Sequence, residues 1–140
     1  MIKLIVGPKG SGKTKKIIDC ANSVVDPEKN EIAFITDTTR YRLDIKHDIR
    51  FIDSSEYGCI TDGNTLLAFL GGLLAGNGDI EAVYIDGIAR IAKAELAGLS
   101  AFFEKAGELA KSQKTEFVFT ISSEEKDLPE YLKKFEKIKA

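Results

Sequence analysis

The stretch Gly-Pro-Lys-Gly-Ser-Gly-Lys-Thr, residues 7–14, separates an apolar run from a helical pattern. Residues 2–6 are almost uninterruptedly apolar, which is typical of a strand that is buried on both faces of a sheet. After the glycines, apolar residues recur at the spacing of one helical face: Ile17, Ile18, Ala21, Val24 and Val25. A strand that passes through a tight turn into a helix is half of a crossover unit, so we expect a parallel sheet.

The rest of the chain repeats this alternation of strand and helix patterns. Further apolar runs of strand length are residues 31–36, 49–52, 82–85 and 117–121, of which 49–52 is the weakest. Helical faces are predicted over residues 88–109 and 128–138, and residues 66–74 are apolar all round, which predicts a buried helix. We therefore predict a three-layer α/β fold for residues 1–140 as one domain, with a mostly parallel sheet of about five strands.

Composition excludes several classes of protein. The chain has 140 residues and a net charge of -2, so no overall attraction to nucleic acid or to an anionic membrane is predicted, although a local site stays open. Its cysteines are Cys20 and Cys59 and its only histidine is His47, too few for a usual four-ligand zinc site. We find no signal-peptide pattern, and the most apolar run, residues 66–75, is too short to cross a bilayer. We expect a cytoplasmic protein without membrane insertion.

The glycine-rich stretch has the chemistry of a phosphate-binding loop. Glycines allow the main-chain amides to point at a phosphate, and the following helix start adds a partial positive charge. The pattern G-x-x-x-x-G-K-[ST] assigns Lys13 to the β- and γ-phosphates and the Thr14 hydroxyl to Mg²⁺. The predicted nucleotide-binding residues are Gly7, Pro8, Lys9, Gly10, Ser11, Gly12, Lys13 and Thr14.

A second motif follows the apolar run 82–85, where Asp86 ends a predicted strand. Mg²⁺ prefers hard oxygen ligands, so Asp86 is predicted to act on the metal side, although Asp86-Gly87 is also a good turn pair. Together the two motifs resemble the Walker A and Walker B sequences of P-loop NTPases of the RecA-like and thymidine-kinase-like groups. The resemblance covers these motifs alone. It implies ATP and Mg²⁺ as ligands, a catalytic role for Lys13, and a RecA-like strand order.

The chain departs from that resemblance after Asp86, where the next residue is Gly87 and not the glutamate that many such ATPases carry. The departure argues against rapid hydrolysis. Asp37, at the end of the second predicted strand, resembles the position of a catalytic carboxylate in RecA-like folds. A turn or helix-capping role for Asp37 is equally compatible with the sequence.

Hydroxyl and guanidinium groups near the strand ends complete the candidates. In a RecA-like order the strand of Thr120 neighbours that of Asp86, so a hydroxyl there is placed to sense a γ-phosphate. Ser122 and Ser123 equally start a turn. The arginines are Arg40, Arg42, Arg50 and Arg90, and such residues are more often solvated than catalytic. The chain contains no Asn-Lys-x-Asp sequence, the element that recognises the guanine base in GTPases, and this favours ATP.

Three functions remain open from the sequence. The first is a Mg-ATP-binding protein, with slow ATP hydrolysis, that acts as a nucleotide-dependent switch or as part of a homo-oligomer or protein complex. The second is a small-molecule kinase, although the arginine lid and zinc lasso that the thymidine-kinase resemblance implies are missing. The third is a RecA- or PilT-like motor subunit associated with nucleic acid, which the net negative charge disfavours.

Overall fold

The structure, a computed structural model, describes residues 1–139. The strands of this part of the chain are β1 (Ile2–Gly7), β2 (Glu31–Thr36), β3 (Arg50–Asp53), β4 (Ile80–Ile85), β5 (Glu116–Ser122) and β6 (Glu136–Lys137). Its α-helices are α1 (Lys13–Val24), α2 (Gly63–Gly76), α3 (Ile88–Ala92) and α4 (Ser100–Gln113). The alternation of strand and helix predicted from the sequence is confirmed, including the weakest strand, which becomes β3.

The strands form one six-stranded parallel sheet in the order β3-β2-β4-β5-β1-β6. One strand, β5, separates β1 from β4, and Phe119 of β5 lies opposite Ile85 of β4. The expectation that the strand of Thr120 neighbours the strand before Asp86 is therefore confirmed. The sheet has one more strand than predicted.

Apolar side chains cover the sheet on both faces. On one face, Phe34, Tyr84 and Val118 pack with residues of α1. On the other face, the larger cluster joins the sheet to α2, α3 and α4, and includes Leu70, Ile88, Phe103 and Phe119. This confirms the three-layer α/β fold, because alternate residues of each buried strand face opposite helical layers.

The predicted helix over residues 128–138 is wrong. Single turns of 3-10 helix occupy Glu125–Asp127 and Glu130–Leu132, and the chain then forms β6 beside β1. The Ile138 N–H donates to the carbonyl of Leu4 at 2.7 Å, which extends this pairing. Leu128 and Leu132 are nevertheless buried in the core, so their spacing reflects burial without a continuous helix.

Two other helix predictions need correction. The pattern over residues 88–109 is divided between α3 and α4, because Lys93 takes a left-handed φ of 53° directly after α3. The helix over residues 66–74 exists as part of α2, but it is buried on one face only: Leu66, Leu70 and Leu74 are buried, whereas Gly72 is exposed. Among the described residues, no helix is both long and apolar enough to span a bilayer.

Candidate functional site

The carboxyl ends of β2, β4, β5 and β1 lie side by side at one edge of the sheet, which we call the carboxyl edge. In open parallel sheets this edge is where ligands collect. The glycine-rich stretch follows β1 at this edge, and Asp86 follows β4. The topology therefore brings the two sequence motifs to the same side of the sheet.

The glycine-rich stretch folds into a loop that only small residues allow. Gly10 and Gly12 have φ values of 83° and 88°, which other residues rarely adopt. The loop turns back so closely that a Cβ on Gly7 would overlap the Ser11 side chain. Helix α1 starts at once after Gly12 and has no side-chain cap and no acidic residue in its first turn. Its N-terminal amides thus have the uncapped, partly positive character that favours an anion.

Lys13 lies largely buried beneath this loop, with 8% of its surface exposed. Its Nζ donates to the carbonyl of Pro8 at 2.9 Å, which holds the ammonium group against the loop. Burial lowers the pKa of Lys13 below its usual value; the Asp86 carboxylate opposes this shift, and Arg90 adds to it. A cation kept close to uncapped amides makes this loop a strongly positive site.

Asp86 is buried, with 3% of its surface exposed, and it accepts hydrogen bonds from two hydroxyl groups. The Thr14 Oγ1 donates to its Oδ2 at 3.0 Å, across 72 residues of sequence. The Thr120 Oγ1 donates to its Oδ1 at 2.8 Å and itself accepts the Gly87 N–H at 2.8 Å. Asp86 therefore joins the start of α1 to β5. The same Thr120 hydroxyl also holds the N–H of Gly87, the residue that follows Asp86.

Thr36 is a buried hydroxyl of the carboxyl edge that the sequence analysis did not single out. It is fully buried, and its Oγ1 has no hydrogen-bond partner among the described residues. The last paired residues of β2 and β4 are Ile35 and Ile85, so Thr36 comes next to Asp86 along the register. Strand alternation gives Thr36, Asp86 and Thr120 the same sheet face as α1. The sequence signal for Thr36 is strand alternation: it lies two residues after the buried Phe34, so both side chains lie on the same face of β2.

Asp37 lies at the same edge but is engaged by Arg90. The Arg90 Nε lies 3.1 Å from Asp37 Oδ2, and its Nη2 lies 3.4 Å from Oδ1. The pairing is two-pronged and partly exposed, with 54% of the Arg90 side chain and 31% of the Asp37 side chain accessible. The sequence predicts a solvated Arg90 and contains no local sign of this contact, because the partner is 53 residues away.

The remaining candidates take no comparable part in the network. Ser122 lies opposite Gly7 in the sheet, and the Ser123 hydroxyl donates to the carbonyl of Glu124. Arg40 and Arg42 are exposed beside aromatic rings, 5.4 Å from the centroid of Tyr41 and 5.2 Å from that of Phe51, respectively. Lys9 is an exposed residue of the loop.

The oxygen atoms at Thr14 and Asp86 fit a magnesium ion. A hydroxyl and a carboxylate, both hard donors, lie within 3.0 Å of each other beside the loop. Residues 1–139 contain no cluster of three histidine, cysteine or acidic side chains that would enclose a metal. Mg²⁺ bound with phosphate does not require one, because waters and phosphate oxygens complete its coordination.

A different region, the amino edge of the sheet, contains a groove of about 1060 Å³. It lies where β2, β3 and β4 begin, and its lining includes Arg42, Lys46, Arg50 and Leu73. None of the loop residues 7–14 lines this groove, and neither does Asp86. The groove is therefore separate from the buried polar network.

Compared with protein-family models, the chain matches none, and a comparison with curated proteins likewise finds no match.

Proposed function

We propose that the chain is a Mg-ATP-binding protein with slow ATPase activity, acting as a nucleotide-dependent switch or as a component of an oligomer. The observation that carries the proposal is the hydrogen bond from Thr14 to Asp86, 3.0 Å long, which joins the loop to the end of β4. These are the residue types, at the corresponding strand ends, that a P-loop site uses to bind phosphate and magnesium.

The loop amides and Lys13 supply the phosphate contacts in this proposal. Three features support these roles: the uncapped start of α1, the left-handed glycines, and the ammonium group tethered to Pro8. Charge-assisted hydrogen bonds from such groups are stronger than neutral ones. The absence of an Asn-Lys-x-Asp sequence favours ATP over GTP.

Thr14 and Asp86 would hold the metal in this proposal. Mg²⁺, when bound, neutralises charge on the β- and γ-phosphates. Asp86 enters this role already oriented, since the Thr120 hydroxyl fixes one of its oxygens at 2.8 Å and leaves the other on the side of Thr14. Such positioning by a neighbouring hydrogen bond is the usual way in which proteins orient a metal-binding carboxylate.

Hydrolysis is slow in this proposal because of the carboxylates available. Gly87 provides no side chain after Asp86, so Asp37 is the candidate general base. Asp37 takes the proton of a water whose oxygen bonds to the terminal phosphorus, while the bond from that phosphorus to the β-phosphate oxygen breaks. The ion pair with Arg90 occupies both Asp37 oxygens, so Asp37 can act as a base only when this pair opens.

The experiment that tests the proposal is a thermal-unfolding titration with Mg-ATP, repeated with EDTA and with Mg-GTP. At a hundredfold excess over Kd, Mg-ATP should add about 2.7 kcal/mol to the free energy of unfolding. EDTA should reduce the shift, and release of inorganic phosphate should be slow. Absence of any shift with either nucleotide would contradict the proposal, and a phosphorylated acceptor in a metabolite panel would instead identify a kinase.

A further inference from the structure

The ion pair between Arg90 and Asp37 lies at the same carboxyl edge as the proposed phosphate site. Arg90 belongs to α3, which starts two residues after Asp86, and Asp37 follows Thr36 at the end of β2. The guanidinium group uses its Nε and Nη2 for Asp37, at 3.1 Å and 3.4 Å. The same planar fork binds a phosphate as well as a carboxylate, since both present two oxygens in the required geometry.

Gly87 explains how the guanidinium reaches this position. Its φ is 91°, and a Cβ built on it would overlap the Nη2 and Cζ atoms of Arg90. The guanidinium therefore lies directly against the main chain that follows Asp86, and a larger residue at position 87 would displace it. The glycine that replaces the expected glutamate is thus the residue that admits Arg90 to the carboxyl edge.

Two cations lie at this edge. Lys13 is tethered to the loop that follows β1, and Arg90 belongs to the helix that starts after Asp86. An anion bound at this edge is attracted by both charges. Asp37 provides a negative charge to Arg90. The neighbouring Thr36 hydroxyl is fully buried and has no hydrogen-bond partner within residues 1–139, so it is an unused polar group at this edge.

We propose that Arg90 exchanges Asp37 for the terminal phosphate of ATP, so that Asp37 competes with the triphosphate for one guanidinium group. This exchange makes the site prefer ATP over ADP, because only the triphosphate places a charged group within reach of Arg90. It also releases Asp37 when the terminal phosphate is present. The inference rests on the proposed function and adds to it the residue that distinguishes the two nucleotides.

The competition predicts opposite effects from the two members of the ion pair. Arg90→Gln should weaken Mg-ATP binding about tenfold while Mg-ADP binding changes little, because the lost bond is charge-assisted. Asp37→Asn should strengthen Mg-ATP binding several-fold, again with little change for Mg-ADP, because it removes the competitor. A merely structural ion pair predicts no gain from either substitution.

The test is isothermal titration of wild type, Arg90→Gln, Asp37→Asn and the double variant with Mg-ATP and Mg-ADP. The double variant should bind both nucleotides as Arg90→Gln does, since Asp37 affects nucleotide binding only through Arg90. Arg42→Gln, an exposed arginine that lines the amino-edge groove, is the matched control. Circular dichroism should show all variants folded, because a partly exposed ion pair contributes little to stability.

The outcomes separate this inference from the proposed function. If wild type binds neither nucleotide, both fail. If it binds both and the ATP-to-ADP preference is the same in wild type, Arg90→Gln and Asp37→Asn, the proposed function stands and the partner exchange is wrong. Weaker Mg-ATP binding by Asp37→Asn would also overturn the exchange.

Discussion

The two edges of the sheet differ in where they keep their charged groups. At the amino edge, Arg42, Lys46 and Arg50 are exposed around a groove of about 1060 Å³. At the carboxyl edge, Lys13 and Asp86 are largely buried. Solvated charges need no particular explanation, whereas burying a charge is costly unless a partner is supplied.

In the proposed function the nucleotide binds at the carboxyl edge and not in this groove, so cavity volume is not what identifies the proposed site. The charged side chains that line this groove are exposed, and the pairs among the lining residues include Glu31 with Asn77 and His47 with Asp48. The carboxyl edge joins Asp86 to partners 34 and 72 residues away. A buried network assembled from three separate elements indicates a site more strongly than open space does.

The largest expected difference between the two edges is the loss of stability when a carboxylate is removed. Asp86→Ala should lower the free energy of unfolding by about 2 kcal/mol, because the buried Thr120 hydroxyl loses its acceptor. Asp48→Ala, in the lining of the amino-edge groove, should change it by less than about 0.5 kcal/mol. Urea unfolding of both variants measures the contrast. Equal losses of stability in the two variants would mean that the hydrogen bonds of Asp86 contribute no more than those of a surface residue.

The next difference lies within the carboxyl edge, between two buried threonines. Thr120→Val removes a donor to Asp86 and an acceptor for the Gly87 N–H, and should cost about 1–2 kcal/mol of stability. Thr36→Val keeps the shape of a side chain whose hydroxyl has no hydrogen-bond partner in the described part of the chain, and should be neutral or stabilising. Chemical denaturation of the pair gives the answer, and a destabilised Thr36→Val would show that its hydroxyl is satisfied in solution.

Glycine replacements extend the comparison to the backbone. Gly87→Ala should lower stability by about 1 kcal/mol, because a left-handed residue becomes strained and displaces Arg90. Gly72→Ala, exposed within α2 beside the amino-edge groove, should raise stability by about 0.5–1 kcal/mol through helix propensity. Thermal unfolding should therefore move in opposite directions for the two variants. A common sign would refute the backbone argument.

The smallest expected effect is a pH dependence of stability caused by Lys13. Burial lowers its pKa in the folded protein below the ordinary value of 10.5, so the unfolded state binds the proton more readily. Stability from this group should therefore rise as pH increases from the folded pKa towards 10.5. Lys13→Met should remove this increment, whereas Lys46→Met at the amino edge should retain it. Parallel profiles for all three proteins would contradict the assignment.

The sheet was predictable from the sequence because its central strands are buried on both faces and are therefore continuous apolar runs. Sequence reasoning placed Asp86 at the end of β4 for the same reason. It failed for residues 128–138, where Leu128 and Leu132 have helical spacing but Pro129 and local turns lead to β6. Burial fixes which residues are apolar, and it does not by itself fix the backbone between them.

The site was predicted unevenly for a related reason. The loop and Thr14 are contiguous, so their pattern is visible in the sequence. The neighbouring strands of Thr120 and Asp86 were expected from the resemblance, but the hydrogen bond between these two side chains was not. The contact of Arg90 with Asp37 depends on the φ of Gly87, which local patterns do not reveal. Thr36 was not predicted as a site residue because threonine is common in strands, where its β-branched side chain favours the extended backbone.

The most direct test of the carboxyl edge as the nucleotide site is calorimetric titration of Mg-ATP into wild type, Lys13→Ala and Lys46→Ala. Loss of the buried ammonium should weaken binding about tenfold to a hundredfold, because charge-assisted bonds to phosphate disappear. Lys46→Ala, at the amino-edge groove, should bind as wild type does. Unchanged affinity for Lys13→Ala, or a loss confined to Lys46→Ala, would contradict the account.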